Sequence, residues 1–192
     1  EDAQTQVQFL KMKVGRLEKS WTGNCLATGL SQGFIEPLEA TALHIVIATA
    51  LEFARAYETG DFTAQNRDAF NQVSAQRYEG IRDYIVGHYR LNQRTDTEYW
   101  RANAANQNLS DNLKAMMTAW FTHEDMGAAN AKTYPAPAYS QTSWHCLLAG
   151  YGSFPPAEKM HPLPENLQAG DADGVRKMLN SCAKNFSKLD VI

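Results

Sequence analysis

A chain of 192 residues, 44% hydrophobic and 20% charged, can bury one sizeable core, and its net charge of -3 favours neither nucleic acid nor an anionic membrane surface. No run of about eighteen apolar residues occurs, and the opening EDAQTQVQF lacks the basic and apolar regions of a secretory leader, so a cytoplasmic location is the default. Cys25, Cys146 and Cys182 are widely spaced and form no C-x-x-C pair, which suggests buried free thiols and neither a disulfide framework nor a zinc site.

Gln6 to Arg16 alternates polar with apolar through Val7, Phe9, Met12 and Val14, the pattern of a short strand. Small and apolar residues from Cys25 to Leu30 lead past Gly33 to Glu36-Pro37. There a proline at the first helical position, with acids in the first turn, starts a helix. From Leu38 to about Tyr57 that helix is apolar on more than one face, through Leu43, Ile45, Val46, Ile47, Leu51 and Phe53, which predicts burial. Thr63 to about Leu91 sets Phe70, Val73, Ile81, Tyr84, Ile85, His88 and Tyr89 at helical spacing, opposite Arg67, Asp68, Gln76 and Arg82.

Ser110 or Asp111 can cap a helix through Phe121 with Leu113, Met116, Met117 and Trp120 on its apolar side. Thr122 to Gln141 holds two prolines and reads as a long loop, in which His123-Glu124-Asp125 point apart and suggest surface, not a metal site. Trp144 to Ala149 is short and apolar, and Pro155 to Gly170 is a proline-marked loop. Asp171 to about Leu189 forms a last amphipathic helix on Val175, Met178, Leu179, Cys182 and Phe186. The fold class is mostly α with a short N-terminal strand.

The densest signal is Asn24 to Leu43, NCLATGLSQGFIEPLEATAL, in which Glu36 and Glu39 stand three residues apart at the mouth of a helix. Downstream come Gly87-His88-Tyr89, then Arg94-Thr95-Asp96-Thr97-Glu98-Tyr99-Trp100-Arg101-Ala102-Asn103, then Leu109-Ser110-Asp111. Ser143-Trp144-His145-Cys146 running to Gly150-Tyr151-Gly152, and His161-Pro162-Leu163, complete the series. In this order the motifs resemble the signature of the flavin-dependent tryptophan halogenases. That signature carries Asn-Cys, Gly-Leu, Glu-Pro-Leu-Glu-Ser-Thr-Gly, His-Tyr, Arg-x-Asp-Thr, Trp-Arg-x-Asn, an apolar helix closing on Gly-x-Gly, and His-Pro-Leu.

The resemblance implies the carboxy-terminal portion of a two-part α/β enzyme of the FAD-dependent monooxygenase-like, GR2-type fold. Family members are longer, and their amino-terminal half carries a Gly-x-Gly-x-x-Gly fingerprint, a Trp-x-Trp-x-Ile-Pro motif and a lysine, none of which occurs here. Residues 1–60 are then expected to end the flavin-binding module with the halide and glutamate motif, and residues 61–192 to form a helical substrate-side module. Such enzymes take reduced FAD from a separate flavin reductase and use oxygen and halide to make a hypohalous species. That species travels through a tunnel to an electron-rich aromatic, an indole or tryptophan; the family also implies dimers.

By the same resemblance Glu39 is the catalytic carboxylate, the backbone amides of Thr41 and Ala42 hold halide, and Leu30 and Leu43 lie against the flavin. His88 sits near the substrate, and Tyr139 falls closest to a tryptophan that clamps it. Unpaired amides in a helix's first turn make an anion site without a charged side chain. Glu36 is expected to be structural, bonded to backbone amides. Read from the residues alone, Glu39 is a helix-dipole carboxylate, His88 a satisfied core histidine, and Leu30 and Leu43 plain core.

Two departures stand out. The family's Glu-Ser-Thr-Gly is Glu39-Ala40-Thr41-Ala42 here, and a Cβ at Ala42 needs a negative φ, as inside a helix. The segment 133–141 lacks the acid that would read an amino group, so a simpler indole fits as well as tryptophan. The altered motif leaves open a flavin monooxygenase that uses no halide, and a noncatalytic helical interaction fragment is a further reading.

Overall fold

The computed structural model describes Phe9, Lys11, residues 13–155 and residues 172–183. Most of the expected strand before residue 13, His161-Pro162-Leu163, the loop to Gly170 and the end of the last helix lie outside the described residues. The chain divides into two units, Glu1–Phe154 and Pro155–Ile192. The second contributes helix α7, Ala172–Ala183.

Helix α2, Arg67–Arg90, is the spine of the first unit. Its 24 residues contain no proline, and both faces are buried along much of its length. On one side Tyr78, Ile81 and Ile85 pack with Ile45 of α1, Thr41–Thr59. On the other, Tyr84 and Leu91 meet Leu113, Met116 and Ala119 of α4 (Asp111–Phe121), Met126 of α5 (Met126–Thr133), and Trp144, Leu147 and Leu148 of α6 (Gln141–Gly150). A Cβ added at Gly87 would come within 3.2 Å of Leu147, so that glycine sets how closely α2 and α6 approach. α1 and α2 share one core.

Four helices begin at a side-chain cap. Thr97 opens α3 (Glu98–Ala104), Ser110 opens α4, Asp125 opens α5 and Ser140 opens α6, each accepting from an amide three residues on. The α5 helix corrects the expected loop over 122–141. Asp125 caps an alanine-rich run whose helix propensity is high, and Met126 anchors it in the core.

Among the described residues the strands are four pairs of residues. Gly15–Arg16 (β1) pairs antiparallel with Gly33–Phe34 (β4), and Trp21–Thr22 (β2) with Cys25–Leu26 (β3). The expectation of buried thiols is also corrected for two of the three cysteines, the side chain of Cys182 lying outside what is described. Cys25 and Cys146 are exposed, the latter because α6 turns Trp144, Leu147 and Leu148 inward and position 146 therefore outward.

The expected burial of α1 holds for one face only. Thr41, Ile45 and Thr49 point inward, whereas Leu43, Ile47 and Leu51 form an exposed row at i, i+4 and i+8. The inward threonines serve hydrogen bonds. Thr49 Oγ1 donates to Gln32 Oε1 at 3.2 Å, and Gln32 Nε2 reaches Ser20 Oγ at 3.0 Å and Ser74 Oγ at 2.9 Å. Gln32, 1% exposed, thus ties the strand region to α1 and α2. Nearby, Trp21 sits edge-on to Phe53, Tyr57 and Phe70, and its N–H and C=O both bond the Asn71 amide.

Gln32→Leu keeps the volume but takes a buried partner from Thr49, Ser20 and Ser74 and leaves the two serines only each other, so it should cost about 2–3 kcal/mol of stability. Urea unfolding followed by circular dichroism checks this through a lowered midpoint with an unchanged slope.

Candidate active site

The site forms where β4 hands the chain to α1. Leu38–Ala40 make a 3-10 turn in which Glu39 (φ 56, ψ 33) and Ala40 (φ 54, ψ 26) both adopt the left-handed conformation. Each L-residue so held costs about 1–2 kcal/mol, and neither position has a glycine to relieve it. The expected helix start at Pro37 is therefore corrected: α1 begins at Thr41, and Ala40 caps it without a side-chain hydrogen bond. Ala42, inside α1 and absent from the positive-φ residues, has the right-handed backbone its Cβ requires.

The strained pair sends Glu39 away from the helix mouth and toward α2. Its Oε1 lies 3.6 Å from His88 Nε2, so the proposed catalytic carboxylate and the proposed substrate-side histidine meet. At that distance they form an ion pair when the imidazole is charged, not a hydrogen bond. His88 Nε2 is buried and has no hydrogen-bond partner among the described residues. Nδ1 faces the Tyr151 hydroxyl at 3.4 Å, and Tyr84 and Tyr151 set ring edges against the imidazole.

Burial lowers the His88 pKa below its ordinary 6.5, outweighing Glu39 and then Glu36, which raise it. A free imidazole is therefore favoured near neutral pH. The sign for stability follows: the unfolded chain binds this proton more readily, so the contribution is present above pH 6.5 and lost as pH falls through the folded pKa.

Thr41 is 4% exposed and does not reach solvent. Its N–H donates to Leu38 O, its hydroxyl donates to the same carbonyl at 2.5 Å, and the hydroxyl meets Tyr139 Oη at 2.8 Å. Ala42 is exposed and borders an apolar cavity of about 210 Å3, whose wall includes Gly29, Leu30, Pro37, Leu43 and Val46. Leu30 and Leu43 are 73% and 71% exposed on this wall, not core, and so are free to lie against a flat apolar ring. A larger hollow of about 410 Å3 shares Phe34, Ile35 and Tyr78 with it. The guanidiniums there, Arg16 and Arg82, both pair with Glu79.

Tyr139 stacks on Tyr84 with ring centroids 3.8 Å apart, so one of its faces is covered. Burial raises both phenols' pKa, with Glu39 adding to the effect, and both remain protonated donors. The expectation that Glu36 bonds backbone amides is corrected: its Oε1 accepts from the Tyr89 hydroxyl. Tyr84, Tyr89 and Tyr151 enter the sequence reading as helix-face or motif residues and not as site residues, although Tyr84 and His88 stand four apart on one helical face, the spacing that brings side chains together.

The structure thus gathers Glu39, His88, Thr41 and Tyr139 around one turn, and Ala42, Leu30 and Leu43 around one cavity. The family model described as tryptophan halogenase matches residues 1–168. The chain belongs to the tryptophan halogenase family. Among this family's members, it is 32% identical over 152 residues to the 7-chloro-L-tryptophan 6-halogenase KtzR of Kutzneria sp. (strain 744), a match covering 79% of this chain and 29% of that protein. It is 27% identical to the tryptophan 7-halogenase RebH of Lentzea aerocolonigenes over 88% of this chain and 34% of the relative.

Among solved structures it is similar to BrvH, a flavin-dependent halogenase from Brevundimonas sp. BAL3, with TM-score 0.71 and 27% identity across 95% of this chain and 35% of that one. The chain therefore spans about a third of the length of the halogenases it matches.

Two measurements test the site's physics. The His88 titration followed by NMR should have its midpoint below 6.5. Glu39→Gln should lower the midpoint further, since it removes the carboxylate that favours the charged ring. Ala40→Gly should stabilise the chain by about 1 kcal/mol, seen as a higher urea midpoint, because glycine relieves the left-handed strain.

Proposed function

We propose that this chain is the carboxy-terminal part of a flavin-dependent halogenase acting on an electron-rich aromatic, an indole or tryptophan-like ring. The observation that carries the reading is Glu39 3.6 Å from a half-buried His88, next to an apolar cavity bordered by the start of α1, which has no side-chain cap. Leu30 and Leu43 would hold one face of the isoalloxazine. An apolar wall with two exposed aliphatic side chains suits that ring. Reduced FAD with oxygen supplies the oxidising equivalent that converts halide to a hypohalous species.

The amide of Ala42, at the cavity, is the first halide donor, and that of Thr41 joins it when it leaves Leu38 O. Halogenation of the aromatic carbon makes a C–X bond and leaves the ring with one proton in excess. Glu39 takes that proton and restores aromaticity, and His88 Nε2, 3.6 Å away, can receive it next. Tyr139 forms part of the substrate wall. In the longer protein we assign the remaining parts by family: a two-part GR2-type fold, an upstream FAD fingerprint and lysine, a flavin reductase partner, a possible homodimer and a cytoplasmic location. No described helix is long and apolar enough to cross a membrane.

The absence of a hydroxyl at Ala40 and of glycine at Ala42 keeps the halide-free monooxygenase as the competing reading. The full-length protein carrying this chain should give brominated product only when bromide is supplied, and an oxygenated product formed without halide would overturn the proposal. In the same assay Glu39→Gln should lower kcat by about 10²–10⁴-fold with little change in KM, as expected for loss of a positioned general base.

A further inference from the structure

The motif from Arg94 to Arg101 lies outside the site, yet its side chains converge on one residue that touches it. Trp100 stacks on Tyr89 with ring centroids 5.8 Å apart and planes 16° from parallel. The Arg94 guanidinium sits 4.6 Å over the other partner of that stack, the Trp100 ring, and Asp96 holds it through two hydrogen bonds of 3.0 and 2.6 Å. Thr97 caps the helix that carries Trp100. Asn92 Nδ2 donates to Tyr89 O at 2.5 Å and to Trp100 O at 3.3 Å, while its Oδ1 accepts from the Arg94 amide. The result is a Tyr89 ring fixed in place, with its hydroxyl donating to Glu36.

Glu36 opens the turn that contains Glu39. Its own carbonyl accepts from the Leu38 amide at 2.9 Å, and the closing residue, Thr41, is bonded to Leu38 O and Tyr139. Between these anchors stand two left-handed residues with no glycine and no side-chain cap. Local preference opposes that conformation, so contacts from elsewhere must impose it. His88 and Tyr89 are consecutive on α2, and they meet Glu39 and Glu36 respectively. One short stretch of helix therefore fixes two carboxylates three residues apart.

We propose that Tyr89 is a positioning residue: braced by Trp100 and Arg94, its phenol holds Glu36 and so keeps the left-handed turn that aims Glu39 at His88. Its effect on turnover rests on the halogenase reading above; its effect on the turn does not. Tyr89→Phe removes the hydroxyl and keeps the stacked ring. The readout is the His88 imidazole, which faces the carboxylates of Glu39 and Glu36 and the phenols of Tyr84 and Tyr151.

When Glu39 drifts away, the His88 midpoint measured by NMR in this chain should fall, in the direction of the Glu39→Gln variant and by a large part of its shift. A rise would mean that the packing had merely loosened and admitted water, and an unchanged midpoint would mean that the turn holds itself; either overturns the proposal. In the full-length protein Tyr89→Phe should lower kcat on the order of tenfold to a hundredfold while KM for the aromatic stays within about twofold. A loss carried by KM alone counts against positioning.

Glu36→Gln keeps an acceptor for the phenol and should retain most of kcat, whereas Glu36→Leu should match Tyr89→Phe. If the unmodified full-length protein makes no halogenated product, the functional reading fails, and the His88 titration still decides the role of Tyr89.

Discussion

Two adjacent residues without glycine, forced into left-handed backbone, set the terms for everything around them. The turn at Glu39-Ala40 delays α1 until Thr41, turns the glutamate off the helix axis and leaves α1 without a side-chain cap. A regular helix from Pro37 would have kept that carboxylate on the first turn, where it would simply offset the macrodipole. The strain turns a commonplace stabilising acid into one that faces an imidazole from another helix.

The surroundings suit that role because they keep charge scarce. Tyr84, Tyr139 and Tyr89 hold their protons more firmly than free phenols, the first two chiefly through burial and Tyr89 chiefly through its bond to Glu36. His88 loses its proton more readily than usual. Glu39, 3.6 Å from His88 Nε2, is then the carboxylate that acts most strongly on the imidazole, with Glu36 second.

Much of the fold was legible because its signals are local. Ser110 capping α4, the periodicity of α2 and the closing of α6 at Gly150 each follow from side chains within one or two turns. The approach of Glu39 to His88 follows from resemblance alone, since no local rule connects residues 49 positions apart. The left-handed turn was invisible for a different reason: alanine and glutamate are good helix formers, and their preference was overruled by tertiary anchors at Glu36 and Thr41. The same applies to α5, where two prolines downstream masked an aspartate cap, and to Glu36, whose partner Tyr89 lies 53 residues away.

The outer row of α1 carries a practical consequence. Leu43, Ile47 and Leu51 point outward in single file, while Thr41 and Thr49 flank Ile45 on the sheltered side. A purified polypeptide of this length presents a greasy seam to water, so its handling will be governed by colloidal behaviour: concentration-dependent clustering, adsorption to plastic and uptake of environment-sensitive dyes. Polar replacements along that file, at Ile47 above all, would yield a better-behaved sample without touching the turn.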